Sequence, residues 1–473
     1  MTGGQEPPPE DAGISAALDI LGALDPAAYA DRSRRCGPAE RSPGGHGAAA
    51  GTCRSRVCVG RGDDRGAGLR AAEGSAQVGP IEKITLPTLA DDTSITPVLS
   101  VTLHAQPQEP VPIVSLSRHL RSHHGMPASP DYFQSQSGGP VGMWPEGFPA
   151  PAPGLTPPRV GGQGSGVTIA VYDTGLVRPA QSNHPPNVTQ LTPGDIETLD
   201  ADSDKIVDLY FGGHEVAIAG VIKVIAPAAE VEAVRITEAN GVATDVSAAR
   251  RMATTLREAK RSGSWPDVIV AAFGTQVCDE DPSTPGSDMV PLGLQAVAEA
   301  VDRHDESFVV ASAGNRSTSR RFYPAAFSES FPTVLAVGAL DTTVDADQSP
   351  WTSASRTGPR ASFSNYGSWV GGWAPGVDLP TNHVIGLRFD AKEPVINGVA
   401  RVNGTSYAAP LVAGLIAERM ARATVDAEDA WEDIAARGVT CSAINGSGVA
   451  VALGAMTDSA MSPPRAPRAA TDC

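Results

Sequence analysis

From Val167 onward the chain alternates short apolar runs with stretches of helical period, and this alternation restricts the architecture more than any other feature. The runs VTIAVY (167–172), VEAVRI (231–236), DVIVAAF (267–273), FVVASAG (308–314) and TVLAVGA (333–339) have strand length. They are apolar nearly throughout, the pattern of strands buried on both faces. Helical stretches fall between them at 216–224, 245–261 and 292–303. In the second of these, Val246, Ala249, Met252, Ala253 and Leu256 recur on one face. Such an order predicts an α/β fold, a doubly wound and mostly parallel sheet with helices on both faces. Functional residues then belong in loops at the carboxyl ends of strands. Asp173 and Asn315 both stand there.

A second constraint comes from NGTSYAAPLVAGLIA (403–417). Leu411, Val412, Ala413, Leu415 and Ile416 leave no polar face, so this helix is expected to be buried. Ser406 sits at its positive end, where unpaired backbone N–H groups point toward any anion formed at the serine oxygen. Pro410 is tolerable in the first turns of a helix. Three other residues complete a chemistry. Asp173, ending a buried strand, can fix one tautomer of a histidine ring. His214, in FGGH before the apolar run VAIAGVIKVIAP, can take the serine proton and return it to a leaving group. Asn315, in ASAGN, can offer an amide to a developing oxyanion. Each motif alone has a commoner explanation as a turn, a core histidine or a helix cap. Their joint occurrence, each on the expected element, points to nucleophilic catalysis.

With VYDTG around Asp173, GGHEVAIAGVIKVIAP around His214, ASAGN at Asn315 and NGTSYAAPLVAG at Ser406, residues 167–422 resemble the subtilisin-like serine proteases, or subtilases. The segment SFSNYGSWVGGWAPGVDL (362–379) resembles the stretch that precedes the serine in that family. The order Asp, His, Ser along the chain is also that family's order. The resemblance implies a parallel seven-stranded sheet and a serine endopeptidase that cleaves peptide bonds through an acyl-enzyme. Asp173, His214 and Ser406 would form the triad, with Asn315 as oxyanion donor. It further implies that Ala272, Phe273 and Gly274 pair with substrate backbone, and that Ser312, Ala313 and Gly314 line the substrate site.

Two departures bear on this. Where the family has Gly-Thr after the histidine, this chain has Glu215 and Val216; the expected strand Ser-Leu-Gly reads Ala272, Phe273, Gly274. Backbone pairing needs no particular side chain, so the second change is tolerable. The carboxylate of Glu215 is expected to favour protonated His214 and to move the acid limb of activity to higher pH. The alternative function is therefore a subtilase-fold peptide-binding module with impaired chemistry. The family often binds calcium, but the acidic loop Asp279, Glu280, Asp281 has no complete ligand pattern, and no cofactor or metal site is assigned.

The remaining chain reads as accessory. Residues 1–75 are expected to be disordered or of low complexity. Within them 11–25 reads as a short amphipathic helix, and 31–70 carries nine arginines against four acids with no hydrophobic period. Residues 76–125, with the β-like runs IEKITLPTL and SITPVLSVTLHA, are expected to form a small accessory or pro-segment. His119, His123 and His124 cluster there without Cys or carboxylate ligands. The Pro/Gly-rich 126–166 reads as an extended linker, 167–456 as the peptidase domain and 457–473 as a flexible tail. The net charge of −17 argues against nucleic acid or anionic membrane as partners, leaving a peptide or protein substrate. The first residues, MTGGQEPPPEDAG, lack the basic start and apolar stretch of a secretory signal. A cytoplasmic location is expected on that ground, with secretion as the alternative.

Overall fold

A computed structural model of the chain describes most of residues 163–441, apart from 192–195, 201, 208–210, 238–241, 278–288 and 343–358. It also describes 55–59, 77–84, 98–104, 117, 120–121, 127–136, 147–155, 449–450 and 468–470. The reading of 11–25 as a helix, the histidines at 119, 123 and 124 and the acidic loop 279–281 lie outside the described residues. The chain divides into two compact units. One comprises Met1–Thr88, Asp92–Tyr132 and Val277–Ala296; the other comprises Leu89–Asp91, Phe133–Gln276 and Val297–Cys473.

In the first unit, β1 (Ser55–Val59), β2 (Gln77–Ile84), β3 (Val98–His104) and β4 (Ala128–Pro130) form an antiparallel sheet in the order β2-β3-β1-β4. β3 lies within the run SITPVLSVTLHA, whereas β2 starts four residues before IEKITLPTL and shares only 81–84 with it. β1 lies inside the Arg-rich stretch expected to lack order. Its backbone pairs with β3 on one side and β4 on the other, partners that composition cannot reveal.

The second unit holds the predicted architecture. Its strands begin with β5 (Phe133–Gln136), β6 (Ala150–Pro151), β7 (Thr168–Asp173) and β8 (Val188–Gln190). Helix α1 (His214–Ile225), β9 (Glu230–Arg235), β10 (Val242–Thr244) and α2 (Asp245–Ser262) follow. Then come β11 (Val268–Ala271), β12 (Phe273–Gln276), α3 (Leu292–His304), β13 (Phe308–Ser312), β14 (Phe322–Tyr323), β15 (Val334–Leu340) and β16 (Gly372–Pro375). The chain continues through β17 (Leu379–Leu387), β18 (Ile396–Val402), α4 (Thr405–Ala423), α5 (Ala427–Arg437), β19 (Val439–Cys441), β20 (Val449–Ala450) and β21 (Arg468–Ala470).

Seven central strands run parallel in the order β16-β15-β13-β11-β7-β9-β8. From β7 the chain goes out to β8 at the edge, fills the place between them with β9, then returns to β11 and proceeds the other way. The order therefore reverses between β7 and β11, and an open α/β sheet offers its crevice at such a reversal. The two faces are separated by strand alternation. Ile169 and Val171 of β7 and Val268 and Val270 of β11 join one core cluster with α1 and α4. Tyr172 points the other way, and its hydroxyl bonds that of Thr255 on α2 at 2.9 Å. The helix α2 buries the face read from its sequence, Val246, Ala249, Met252, Ala253 and Leu256. A reciprocal box between Thr244 and Ser247 starts it, and Gly263 ends it.

All twelve residues of α1 are buried. This helix packs between α4 and β17, so neither face meets solvent and its sequence is apolar nearly all round. Its approach to β17 depends on Gly220. A Cβ there would lie 2.8 Å from the Asn382 backbone nitrogen and would also strike Thr381, whose hydroxyl donates to the Ala217 carbonyl at 2.7 Å. Gly220→Ala should therefore lower stability by about 1–3 kcal/mol, the usual range for overpacking, read as a fall in Tm. An unchanged Tm would mean that α1 can move away from β17 without loss.

Candidate active site

Asp173 is the last residue of β7 and His214 the first of α1. Both are fully buried, and His214 Nδ1 lies 2.8 Å from Asp173 Oδ1. The same oxygen accepts the Thr174 backbone N–H at 2.8 Å. The ring of Tyr407 stands 5.3 Å from the His214 ring, tilted by 55°. His383 on β17 is also fully buried, and burial followed by the proximity of His214 pushes its pKa down to about 3.

Ser406 is the second residue of α4, 1% exposed, and its Oγ donates to the Ala272 carbonyl at 3.5 Å. The start of α4 is fixed by Asn315. The Asn315 Oδ1 accepts both the Thr405 backbone N–H at 2.9 Å and the Thr405 hydroxyl at 2.8 Å. That leaves Asn315 Nδ2 buried and without a hydrogen-bond partner among the described residues. A buried amide donor with no acceptor is unusual, and this one sits beside the helix that carries Ser406. Gly404, just before that helix, lets the amide approach: a Cβ there would stand 3.3 Å from Nδ2.

The ten residues singled out from the sequence separate into three groups. Asp173 and His214 are bonded, and Ser406 and Asn315 meet through Thr405 at the head of α4. Ala272, Phe273 and Gly274 bridge the end of β11 and the start of β12, where the single run DVIVAAF breaks into two strands. Both edges of β12 are occupied. β14 takes one, with Thr275 opposite Tyr323; β5 takes the other, with Phe273 opposite Gln136 and Gly274 opposite Ser135. β5 is itself paired to β10, so it lies as a middle antiparallel strand. The edge expected to take substrate backbone thus carries a strand of the chain itself, from the stretch read as a linker.

Ser312 ends β13, and Ala313 and Gly314 follow it. The backbone of the last two is engaged internally. Ala313 donates to the Val337 carbonyl at 2.9 Å and accepts from Asn365 Nδ2 at 2.7 Å. Gly314 donates to the Thr405 hydroxyl at 3.0 Å and accepts from the Asn365 N–H at 2.9 Å. Asn365, in the SFSNYG stretch, also accepts from Arg316 and Thr318. Its role in holding the Asn315 loop has no mark in the sequence, where only the resemblance of its segment draws notice.

Glu215 departs from its expected role. It is fully buried, and its carboxyl accepts the Gly175 backbone N–H. Burial, and then the charge of Asp173, raise its pKa well above the carboxylate range, against the opposing bond from Gly175. A carboxyl shifted in this direction is less readily charged beside His214, which weakens the ground for the expected shift of the acid limb. Glu197, 2% exposed, is raised in the same direction by its burial. Near this region Asp200, Asp202 and Asp204 bring carboxylate oxygens within 4.8 Å of one another, a group able to hold a divalent ion. Asp200 is half-buried and the other two are exposed. All three already accept backbone N–H groups of the same loop. The alternating acids of DADSDK (200–205) are the sequence signal for this group.

Residues 164–453 match the subtilase family, and the chain belongs to that family. It is 31% identical over 261 residues to the thermophilic serine proteinase of Bacillus sp. (strain AK1), covering 54% of this chain and 52% of that protein. It is 31% identical over 267 residues to subtilisin BL of Lederbergia lenta, covering 54% of this chain and 76% of that one. The match thus spans about half the length of the first of these relatives. Among solved structures, a cold-adapted subtilisin-like serine proteinase is similar at 20% identity and a TM-score of 0.42, covering 63% of this chain and 91% of that chain. No helix among the described residues is long and apolar enough to cross a membrane.

A raised carboxyl pKa has a consequence for stability. Glu215 holds its proton more tightly folded than unfolded, so its contribution is present below the ordinary carboxylate range and lost as pH rises through and above it. Glu215→Gln, neutral throughout, should show a smaller fall in Tm than wild type as pH is raised from about 4.5 toward neutrality. An equal fall in both proteins would show that the proton is not held on Glu215.

Proposed function

We propose that the chain is a serine endopeptidase acting on an extended peptide or protein substrate. The observation that carries this reading is the buried His214–Asp173 pair, with Nδ1 and Oδ1 2.8 Å apart, in a unit that also presents Ser406 at the head of a buried helix. His214 takes the Ser406 proton as Oγ attacks the scissile carbonyl. Asp173 holds the ring by Nδ1 and stabilises its charged form. The oxyanion is met by Asn315 Nδ2, the donor left over when Oδ1 is tied to Thr405. Return of the proton from His214 to the leaving amine breaks the peptide bond and leaves an acyl-enzyme on Ser406. Water then attacks with the same histidine as base, releasing the second product. In this reading Ala272, Phe273 and Gly274 face the substrate backbone, while Ser312, Ala313 and Gly314 line the site by shape. Any calcium belongs with Asp200, Asp202 and Asp204, whose hard oxygen donors suit it.

A second reading is a subtilase fold that binds a peptide strand without turning it over. Its support is β5, held by backbone pairing between β10 and β12, together with the buried Glu215 next to the dyad. A serine-directed phosphonate separates the two. In an active peptidase it modifies Ser406 alone, and Ser406→Ala removes both labelling and turnover. A folded wild type that stays unlabelled favours the peptide-binding module, and labelling elsewhere rejects the assignment of Ser406.

The oxyanion role has its own test. Asn315→Ala should lower kcat by about 10²–10³, the usual cost of removing such a donor from a subtilisin, with little change in KM. Because Oδ1 also ties Thr405, Asn315→Asp should keep that tie and lose the donor, and is expected to be as slow. A fast Asn315→Asp enzyme would mean that Nδ2 does not meet the oxyanion.

A further inference from the structure

The loop after β7 and the first turn of α1 face one another and are joined at three points. His214 Nδ1 meets Asp173 Oδ1 at 2.8 Å. The Glu215 backbone N–H donates to the Thr174 hydroxyl at 3.4 Å. The Gly175 backbone N–H donates to the Glu215 carboxyl. Residues 173, 174 and 175 are therefore bonded in turn to 214, 215 and 215, and the Thr174 N–H closes the loop back onto Asp173. Only the last of the three links needs a side chain at 215. A glycine there, as the family resemblance leads one to expect, would keep the bond to Thr174 and lose the bond to Gly175.

We propose that Glu215 is a positioning residue: its side chain pins Gly175, and through it the loop that carries Asp173, at a fixed distance from His214. The side chain is suited to this. It is fully buried on a helix that is itself fully buried, so its rotamers are held by packing. It serves as an acceptor and needs no charge to do so. Asp173 and Glu197 are the ionisable groups that act on it, both acidic, and a second full charge beside Asp173 would work against the neutral histidine that must act as base. Burial that works against a charge on Glu215 eases that conflict, and the carboxyl still accepts from Gly175. Links of this kind matter because a misplacement of about 1 Å in a catalytic constellation costs on the order of 10²-fold in rate.

The proposal rests on the peptidase reading for its kinetic test, so a second readout is needed that does not. Glu215→Met fills the same space without an acceptor; Glu215→Gln keeps a carbonyl oxygen in place. Glu215→Met should lower kcat by on the order of 10²-fold with KM little changed, and Glu215→Gln should recover most of that loss. In parallel, the proton bridging His214 and Asp173 is followed by proton NMR in the resting protein. It should be seen in wild type and Glu215→Gln, and be broadened or shifted in Glu215→Met. A wild type without turnover, but with the bridging proton behaving in that order, removes the peptidase reading and keeps Glu215 in its role. A bridging proton unaltered by Glu215→Met, or a Glu215→Gln enzyme as slow as Glu215→Met, overturns the proposal. Failure of Glu215→Met to fold would assign the link to stability and overturn it as well.

Discussion

The hydrogen bond between His214 and Asp173 is made where no water can replace it. Both side chains are fully buried, so losing either partner would leave a polar group unsatisfied in the interior, a loss well above the net worth of an exposed bond. The fold around the pair follows from that requirement. Asp173 is placed by a strand buried at the centre of a parallel sheet. His214 is placed by a helix with no exposed residue. That helix in turn packs on α4, which carries Ser406. One helix, in contact both with the strand that carries Asp173 and with the helix that carries Ser406, thus sets the relation between the three side chains. Apart from Asp173, the histidine meets the Tyr407 ring, and burial holds the pKa of the nearby His383 down.

A second set of bonds ties the other half of the site to the same frame. Asn315 lies just after β13 and Thr405 begins α4, ninety residues apart in the chain. The amide oxygen of one receives two bonds from the other. Asn365 holds the Asn315 loop from its far side. The Asn315 Nδ2, proposed above as the oxyanion donor, is therefore preorganised by its own second atom, because a primary amide that uses its oxygen as an anchor has only its nitrogen left to offer.

The parts of this molecule legible in the sequence are those governed by local pattern. The five apolar runs and three helical stretches are found within a few residues of their expected positions, because parallel strands and amphipathic helices carry their burial in composition. The break of DVIVAAF at Ala272 is not visible there, since a turn from one sheet into another leaves both halves apolar. β1, β5 and β6 are not visible either. Short strands of this kind are defined by the partner they pair with, and Phe133–Gln136 has no apolar signature that demands β10 and β12. The identities of Asp173, His214, Asn315 and Ser406 are legible as motifs. The anchoring of Asn315 by Thr405, and the engagement of the Ala313 and Gly314 backbone by Asn365, are long-range bonds with no local trace. Glu215 shows the same limit in electrostatics: its charge looks decisive in the sequence, and its burial, invisible there, works against that charge.

On the proposed reading, in which a peptide substrate pairs with Phe273 and Gly274, the seat of β5 against β12 alters what affinity means. A tethered strand competes with a free peptide as an intramolecular ligand, at an effective concentration that for short flexible tethers is on the order of millimolar. An added peptide must exceed that local competitor before it can use the backbone groups of Phe273 and Gly274. The edge is never in equilibrium with solvent alone. Apparent affinity for outside peptides is therefore scaled down by the fraction of molecules in which β5 has left its place, and this factor applies equally to every sequence. Discrimination between peptides is preserved, while the threshold for engaging any of them is raised.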